Sequence, residues 1–146
     1  MATRRIATLV TRLGGSGTFR TRVHDSEQLR EHVRVGFPFA SLTALSDAYE
    51  IDLSRLAKIL RIPQRTLARR KQARRLQADE SDRVLRVARI AALAEESLGN
   101  RARAAHWLQR PNQALAGATP LETLDTDLGT RQVEDVLGRI AHGVYS

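Results

Sequence analysis

Residues 53–75 read LSRLAKILRIPQRTLARRKQARR, a sequence in which two helical patterns flank a proline. Leucine and alanine recur at helical spacing in the first part, and Asp52 just ahead of them is a suitable N-cap. Pro63 has no backbone N–H and cannot continue the first helix, so a turn is expected at residues 61–63. A second helix is expected from Gln64 to about residue 72. The pattern is therefore typical of a helix-turn-helix.

The same stretch is strongly basic. Residues 55–75 contain nine Lys or Arg residues and no Asp or Glu. Like charges at this density repel one another, and the phosphates of DNA would neutralise them. The second helix of a helix-turn-helix enters the major groove, where Gln and Arg side chains bond to base edges. Duplex DNA is therefore the expected ligand, and the expected contact residues are Gln64, Arg65, Thr66, Arg69, Arg70, Lys71, Arg74 and Arg75.

The positions of these eight residues predict two kinds of contact. Gln64 and Arg65 begin the second helix and Arg69 lies one turn later, so these three are expected to read base edges. The residues expected to bind phosphates are Arg70, Lys71, Arg74 and Arg75. Thr66 either packs inward or bonds to a phosphate. Two alternatives stay open: a solvated Arg-rich helix pair without a ligand, and RNA, although no aromatic residues lie among the basic ones to stack on bases.

Charge is unevenly distributed along the 146 residues, whose formal net charge is +8. Residues 1–90 contain 19 Lys or Arg and 9 Asp or Glu, for a net charge of +10. Residues 91–146 contain 5 and 7, for a net charge of −2. The two parts are therefore expected to bind different partners, and only the first suits a polyanion.

Helical signals continue on both sides of the basic stretch. N-caps are expected at Asp25, Asp79 and Asn100, and residues 119–122, Thr-Pro-Leu-Glu, have the pattern of a capping box. Glycines that end helices are expected at Gly36, Gly99 and Gly143. No alternation typical of strands and no internal repeat occurs. The chain is therefore predicted to be all-α, with a helix-turn-helix DNA-binding domain followed by a small helical domain.

Three segments are expected along the chain. Residues 1–24 contain Gly14-Gly15-Ser16-Gly17 and are expected to form a flexible N-terminal arm, whose arginines could add weak phosphate contacts. Residues 25–90 are expected to form the helix-turn-helix DNA-binding region. Residues 91–146 are expected to form the second domain.

The sequence lacks the residues that several classes of function require. The absence of cysteine excludes disulfides and thiolate metal sites. No catalytic nucleophile or carboxylate pair stands out, so we expect no catalysis and no cofactor. No signal peptide or membrane span is indicated, which predicts a cytoplasmic protein with no membrane partner. No metal is expected either, because metal-ligand spacing is lacking among His24, His32, His106 and His142.

Residues 107–122 carry the most distinctive sequence, WLQRPNQALAGATPLE. With Leu124-Asp125-Thr126, Gly129 and the end of the chain, this run resembles the signature of the Xre/MbcA/ParS-type toxin-binding domain. The upstream part is similar to the helix-turn-helix of Xre-type antitoxins. That similarity lies in Gly36-Phe37-Pro38, Leu56-Ala57, Ile62-Pro63, residues 66–70 and Ser81-Asp82-Arg83. The resemblance covers roughly residues 30–146, and the first 25 residues match nothing in that family.

The resemblance implies a protein partner and a regulatory role. Antitoxins of this family pair with RES-domain toxins, which degrade NAD⁺, and the complex represses its own promoter. Carried over by position, the toxin-binding residues are Arg139, Ile140, His142, Gly143, Val144, Tyr145 and Ser146. A short tail with one aromatic residue suits insertion into a cleft, because Tyr145 offers rigid contact area.

Two further expectations concern assembly and alternative functions. Bacterial operators are often palindromic because such repressors are dimers, so a homodimer is expected. The main alternative is a stand-alone helix-turn-helix transcription regulator with a C-terminal dimerisation domain and no toxin partner. A weak enzyme is disfavoured, because the catalytic groups are missing.

Overall fold

A computed structural model describes residues 2–143, and it describes side chains from Arg4 onward. This part of the chain has no strand, only an isolated bridge between Pro38 and Arg75, so the all-α prediction is confirmed. Its α-helices are α1 (Ala2–Arg12), α2 (Gly15–Phe19), α3 (Ser26–Val35), α4 (Phe39–Ala48), α5 (Leu53–Ile59), α6 (Gln64–Ala73), α7 (Ala78–Leu98), α8 (Arg101–Leu108), α9 (Pro120–Thr123) and α10 (Asp127–Ala141). A 3₁₀ helix covers Gln113–Leu115.

Helix α7 is the longest helix and lies at the centre of the fold. Helices α1, α3, α8 and α10 all pack against it. Its buried side chains are Glu80, Ser81, Val84, Val87, Ala88, Ile90, Ala91 and Ala94. The boundary expected at residue 90 lies in the middle of α7, and a single apolar core includes residues from both sides of it. The two parts of the chain therefore share this helix.

Most helix starts form where local side chains predict them. Asp25, Asp52 and Asn100 each accept a hydrogen bond from the backbone N–H three residues later. Thr119 and Glu122 form the expected reciprocal capping box, and the hydrogen bonds from Thr119 lower the pKa of Glu122. These bonds satisfy helix N–H groups that have no partner within the helix.

The N-cap predicted at Asp79 is wrong. Helix α7 begins two residues earlier, with Gln77 as its cap. Glu80 accepts a hydrogen bond from the Gln77 N–H at 2.8 Å, and Gln77 accepts one from the backbone of Glu80. Aspartate is the better cap by intrinsic preference, but Glu80 is held at this position by a contact with α6 that is described below.

The flexible arm expected over residues 1–24 is also wrong for the part that the structure describes. Helix α1 packs on α7 and α4, and α2 packs on α1. Leu9 and Val10 on one side of α1 and Leu13 directly after it are buried, because this side of the helix packs on α7. Phe19 is buried as well, with its ring in edge contact with Phe37 at a centroid distance of 5.3 Å. The apolar face of a short helix therefore outweighs the flexibility of four small residues.

A partly buried cluster of Arg12, Tyr49 and Glu95 joins α1, the end of α4 and α7. Arg12 donates two hydrogen bonds to the Glu95 carboxylate, at 2.8 and 2.9 Å. The Tyr49 hydroxyl donates to the same carboxylate at 2.8 Å. These bonds hold the pKa of Glu95 below its usual 4.5, and burial raises the pKa of Tyr49 above its usual value. The Glu95 carboxylate therefore links the N-terminal helix to the end of α4 and to α7.

Glu95→Gln is expected to lower the free energy of unfolding by about 2 kcal/mol at neutral pH, because Arg12 loses its charged partner in a partly buried setting. A lowered folded-state pKa means that the carboxylate stabilises the fold above pH 4.5. That stabilisation is lost as the pH falls through the folded-state value. The difference between the two proteins should therefore shrink in acid, and denaturant unfolding at several pH values measures it.

Glu96→Gln is the matched control for this prediction. Glu96 is the next residue and pairs with Arg5, but the two side chains are 54 % and 66 % exposed. Exposed pairs contribute little, so a change below about 0.5 kcal/mol is expected at every pH. Equal losses for the two variants would contradict a special role for the Glu95 carboxylate.

Candidate functional site

Helices α5 and α6 form the predicted helix-turn-helix. Arg61 in the turn has φ 59°, and Pro63 begins α6 as its N-cap. The Ile62 N–H donates to the Ala57 carbonyl at 2.9 Å, and the Ile62 side chain is buried between the helices. Helix α6 buries only Leu67, so most of its surface is exposed.

The exposed surface of α6 carries most of the predicted DNA-contacting residues. We call this surface the basic face and define it as Gln64, Arg65, Arg69, Lys71 and Arg74, all of which are exposed. Thr66 is half-buried, and its hydroxyl accepts a hydrogen bond from Arg69 at 3.4 Å. Among residues 4–143, no ion pair involves an arginine or lysine of this face. The face therefore presents cationic side chains that no carboxylate of the described chain neutralises.

Two of the predicted phosphate-binding residues have partners inside the protein. The Arg70 Nε atom lies 2.7 Å from Glu80 Oε1, and the two side chains are only 18 % and 6 % exposed. This hydrogen bond raises the pKa of Arg70. Arg75 donates to the Gly36 carbonyl at 2.7 Å. Phosphate contacts by Arg70 and Arg75 stay predictions. To make them, each guanidinium would have to bond to a phosphate and to its partner in the protein at the same time.

The turn at Gly36 fixes the end of α6 against the start of α4. Gly36 has φ 104°, and a Cβ atom there would collide with the Leu76 carbonyl oxygen, so glycine is needed. The Leu76 N–H donates to the Phe37 carbonyl at 2.8 Å, and the Phe37 N–H donates to Ser81 Oγ at 2.7 Å. This network orients the basic face relative to α7.

The predicted toxin-binding residues lie at the end of α10. Val133, Val136 and Leu137 bury one side of this helix. Arg139 and His142 are exposed, Gly143 is exposed with φ 70°, and Ile140 is half-buried against the core. The structure therefore brings the first four predicted residues together at one helix end. The other three, Val144, Tyr145 and Ser146, lie outside the described residues.

Gln109 connects the two parts of the chain, and the sequence reasoning missed it. Its side-chain amide donates to the carbonyls of Tyr49 and Glu50, at 3.2 and 3.3 Å, where α4 ends. Its carbonyl accepts a hydrogen bond from Arg55 of α5 at 3.3 Å. No local pattern indicates these contacts, because their partners lie 54 to 60 residues away.

Close packing of α9 on α10 explains another residue of the distinctive C-terminal sequence. A Cβ atom at Gly129 would collide with the Thr123 carbonyl oxygen, so glycine lets the first turn of α10 approach α9. The Gly129 N–H donates to the Thr126 hydroxyl at 2.9 Å, which caps α10. The motif thus sets the start and direction of the helix whose other end carries the predicted toxin-binding residues.

The described residues also bear on metal binding and membrane insertion. In the described part of the chain, no three His, Asp or Glu side chains are grouped so that they could hold a metal ion. None of its helices combines the length and apolar character that crossing a bilayer requires.

Comparisons with known proteins match both parts of the chain. Residues 28–89 match the antitoxin Xre-like helix-turn-helix domain, and residues 93–143 match the antitoxin Xre/MbcA/ParS C-terminal toxin-binding domain. Similar proteins include an antitoxin Xre of Pseudomonas putida, 45 % identical over 83 residues, and one of Yersinia enterocolitica, 28 % identical over 120 residues. A third antitoxin Xre, of Photorhabdus laumondii, is 40 % identical over 70 residues.

The extent of these matches differs among the relatives. The aligned part covers 56 % of this chain and about half of the Pseudomonas protein (52 %). It covers 47 % of both chains for the Photorhabdus protein and 81 % of both for the Yersinia protein.

Xre antitoxins are regulatory proteins and not enzymes. With a matching helix-turn-helix domain followed by a matching toxin-binding domain, the chain belongs to the Xre family of antitoxins.

Proposed function

We propose that the chain neutralises a cognate toxin with its C-terminal part and binds operator DNA with its helix-turn-helix. The observation that carries this proposal is the unneutralised basic face of α6, on a protein whose residues 91–146 have a net charge of −2. A polyanion suits the first surface, and a polypeptide suits the second. In this proposal residues 25–90 act on DNA and residues 91–146 act on the toxin.

The toxin in this proposal is a RES-domain enzyme that degrades NAD⁺. The end of α10, from Arg139 onward, enters or covers the opening of its active site. Support comes from the exposure of Arg139 and His142 at that helix end and from the aromatic residue that follows in the sequence. The chain acts in the cytoplasm, where NAD⁺ is available.

The DNA in this proposal is the promoter of the chain's own operon, which the protein represses as a homodimer. Gln64, Arg65 and Arg69 read base edges, and Lys71 and Arg74 bind phosphates, since all five are exposed on the basic face. Arg70 and Arg75 chiefly hold α6 in place through Glu80 and Gly36. Two symmetric half-sites would let two copies of α6 enter successive major grooves.

A co-expression experiment tests the proposal. The chain and the protein encoded next to it are produced together, and NAD⁺ consumption is measured with and without the chain. We expect a stable complex and inhibition at a stoichiometric ratio. If the neighbouring protein stays fully active and separate, while the chain still binds the DNA upstream of its reading frame, the chain is instead a stand-alone regulator.

A further inference from the structure

An open groove lies between residues 17–22, which we call the N-terminal segment, and the C-terminal end of α6. Residues of α2, α3 and α4 form its other walls. The groove has a volume of ≈ 1120 Å³, enough for a stretch of sugar–phosphate backbone. It begins where the basic face ends, because Lys71 and Arg74 belong to both.

Positive charge dominates the lining of this groove. Arg20 and Arg22 come from the N-terminal segment, and Lys71, Arg74 and Arg75 come from α6 and its end. All five are exposed. Two acidic side chains, Glu31 and Asp47, also line it. Glu31 is paired with Arg34 at 3.3 Å, so the groove attracts anions on balance.

Arginines near the N-terminus differ in their partners. Arg5 and Arg12 on α1 form ion pairs with Glu96 and Glu95 of α7. Arg20 and Arg22 form no ion pair among residues 4–143. Of the arginines among residues 4–22, Arg20 and Arg22 are the two that line the groove, and no carboxylate of the described residues neutralises them.

Burial on either side holds the segment that carries Arg20 and Arg22. Phe19 before it and Val23 after it are 5 % and 9 % exposed. Arg20 itself has φ 62° and donates its backbone N–H to the Ser16 carbonyl. Because the backbone is already fixed, binding an anion there orders little more than the two side chains.

We propose that Arg20 and Arg22 line up with Lys71 and Arg74 to form one extended phosphate-binding site for duplex DNA. This site extends the DNA interface of α6 along the backbone that flanks the bases it reads. The inference rests on the proposed DNA binding by α6. It assigns DNA binding to a segment that lies outside the matched helix-turn-helix domain of residues 28–89.

The test compares the wild-type chain with an Arg20→Asn/Arg22→Ala variant on the duplex upstream of the reading frame. Asparagine is chosen because it tolerates the left-handed conformation of residue 20. Each lost phosphate contact lowers the slope of log K against log salt by about 0.9, so a decrease of about 2 is expected. Affinity at about 100 mM salt is expected to fall about tenfold, both for this duplex and for one of scrambled sequence.

Two further variants control for the loss of positive charge and for damage to the fold. Arg30→Ala/Arg131→Ala removes two exposed arginines outside the groove and is expected to keep the wild-type salt slope. Asp47→Asn removes a negative charge from the groove and is expected to tighten DNA binding about twofold, which damage to the fold would not do. Unchanged affinity for Asp47→Asn would overturn the proposal.

The outcomes also separate this site from the proposed function. If the Arg20→Asn/Arg22→Ala variant keeps the wild-type slope and affinity while the wild type binds DNA, the groove is not a phosphate site and DNA binding by α6 stands. If the wild type ignores its upstream duplex at low salt, the proposed DNA binding fails, and the groove proposal fails with it. The groove proposal would also be overturned if the Arg20→Asn/Arg22→Ala variant bound single-stranded RNA more weakly than the wild type but bound the duplex equally well.

Discussion

Arg65→Ala/Arg69→Ala is expected to lower the affinity for operator DNA by two to three orders of magnitude. Both side chains are exposed on the basic face, one turn apart near the start of α6. A bidentate arginine–guanine contact contributes about 1–3 kcal/mol, and about 1.4 kcal/mol corresponds to a factor of ten. Neither arginine forms an ion pair among residues 4–143, so the thermal stability should hardly change. Fluorescence anisotropy with the upstream duplex measures the effect.

Arg101→Ala/Arg131→Ala provides the control for net charge. Both residues are exposed and lie on α8 and α10, away from α6. This variant is expected to bind DNA nearly as the wild type does. The Arg65→Ala/Arg69→Ala variant should still neutralise the toxin fully. If both double variants bind DNA equally well, the basic face does not read bases.

Deletion of residues 144–146 is expected to weaken toxin neutralisation by about one to two orders of magnitude. Aromatic residues at the centre of an interface contribute about 2 kcal/mol or more, and Tyr145 is the Phe, Tyr or Trp residue in the set of predicted toxin-binding residues. DNA binding should not change, since α6 packs mainly on α5. The amount of chain needed to halve NAD⁺ consumption by the toxin measures the loss.

Leu128→Ser is the matched control for this deletion. Leu128 lies at the start of α10 and is 69 % exposed, so its replacement changes an exposed apolar side chain away from the predicted contact. Neutralisation is expected to stay near the wild-type level. If the deletion and the Arg65→Ala/Arg69→Ala variant each impair both DNA binding and neutralisation, the proposed division of labour is wrong.

Helix ends and the helix-turn-helix could be predicted because their causes are local. The hydrogen bond of each N-cap at Asp25, Asp52 and Asn100 spans three residues, so both partners are visible in one short window. Pro63 breaks the helix by its own covalent structure. The positions of the basic side chains on α6 follow from helical spacing alone. For the same reason, most of the expected DNA-contacting residues are exposed on one helix.

The N-terminal part of the chain could not be predicted from its glycines. Its order comes from Leu9, Leu13 and Phe19 packing on helices far along the chain, and from Arg12 bonding to Glu95 across 83 residues. The local sequence shows that Arg12 is charged, but it does not show that a distant carboxylate will bond to it. The expectation of a flexible arm therefore failed where long-range burial outweighed local flexibility.

Helices α3 to α10 and the turn at Pro63 could be predicted from the sequence, because each depends on neighbours within a few residues. The unequal charge of the two parts follows from their composition. Which arginines are available to a ligand depends instead on how the helices pack together. Arg70 and Arg75 bond to Glu80 and Gly36, whereas Arg65 and Arg69 lie exposed on the same helix. Side chains of one chemical type acquire different roles because only the folded chain brings a distant carboxylate or carbonyl within hydrogen-bonding distance.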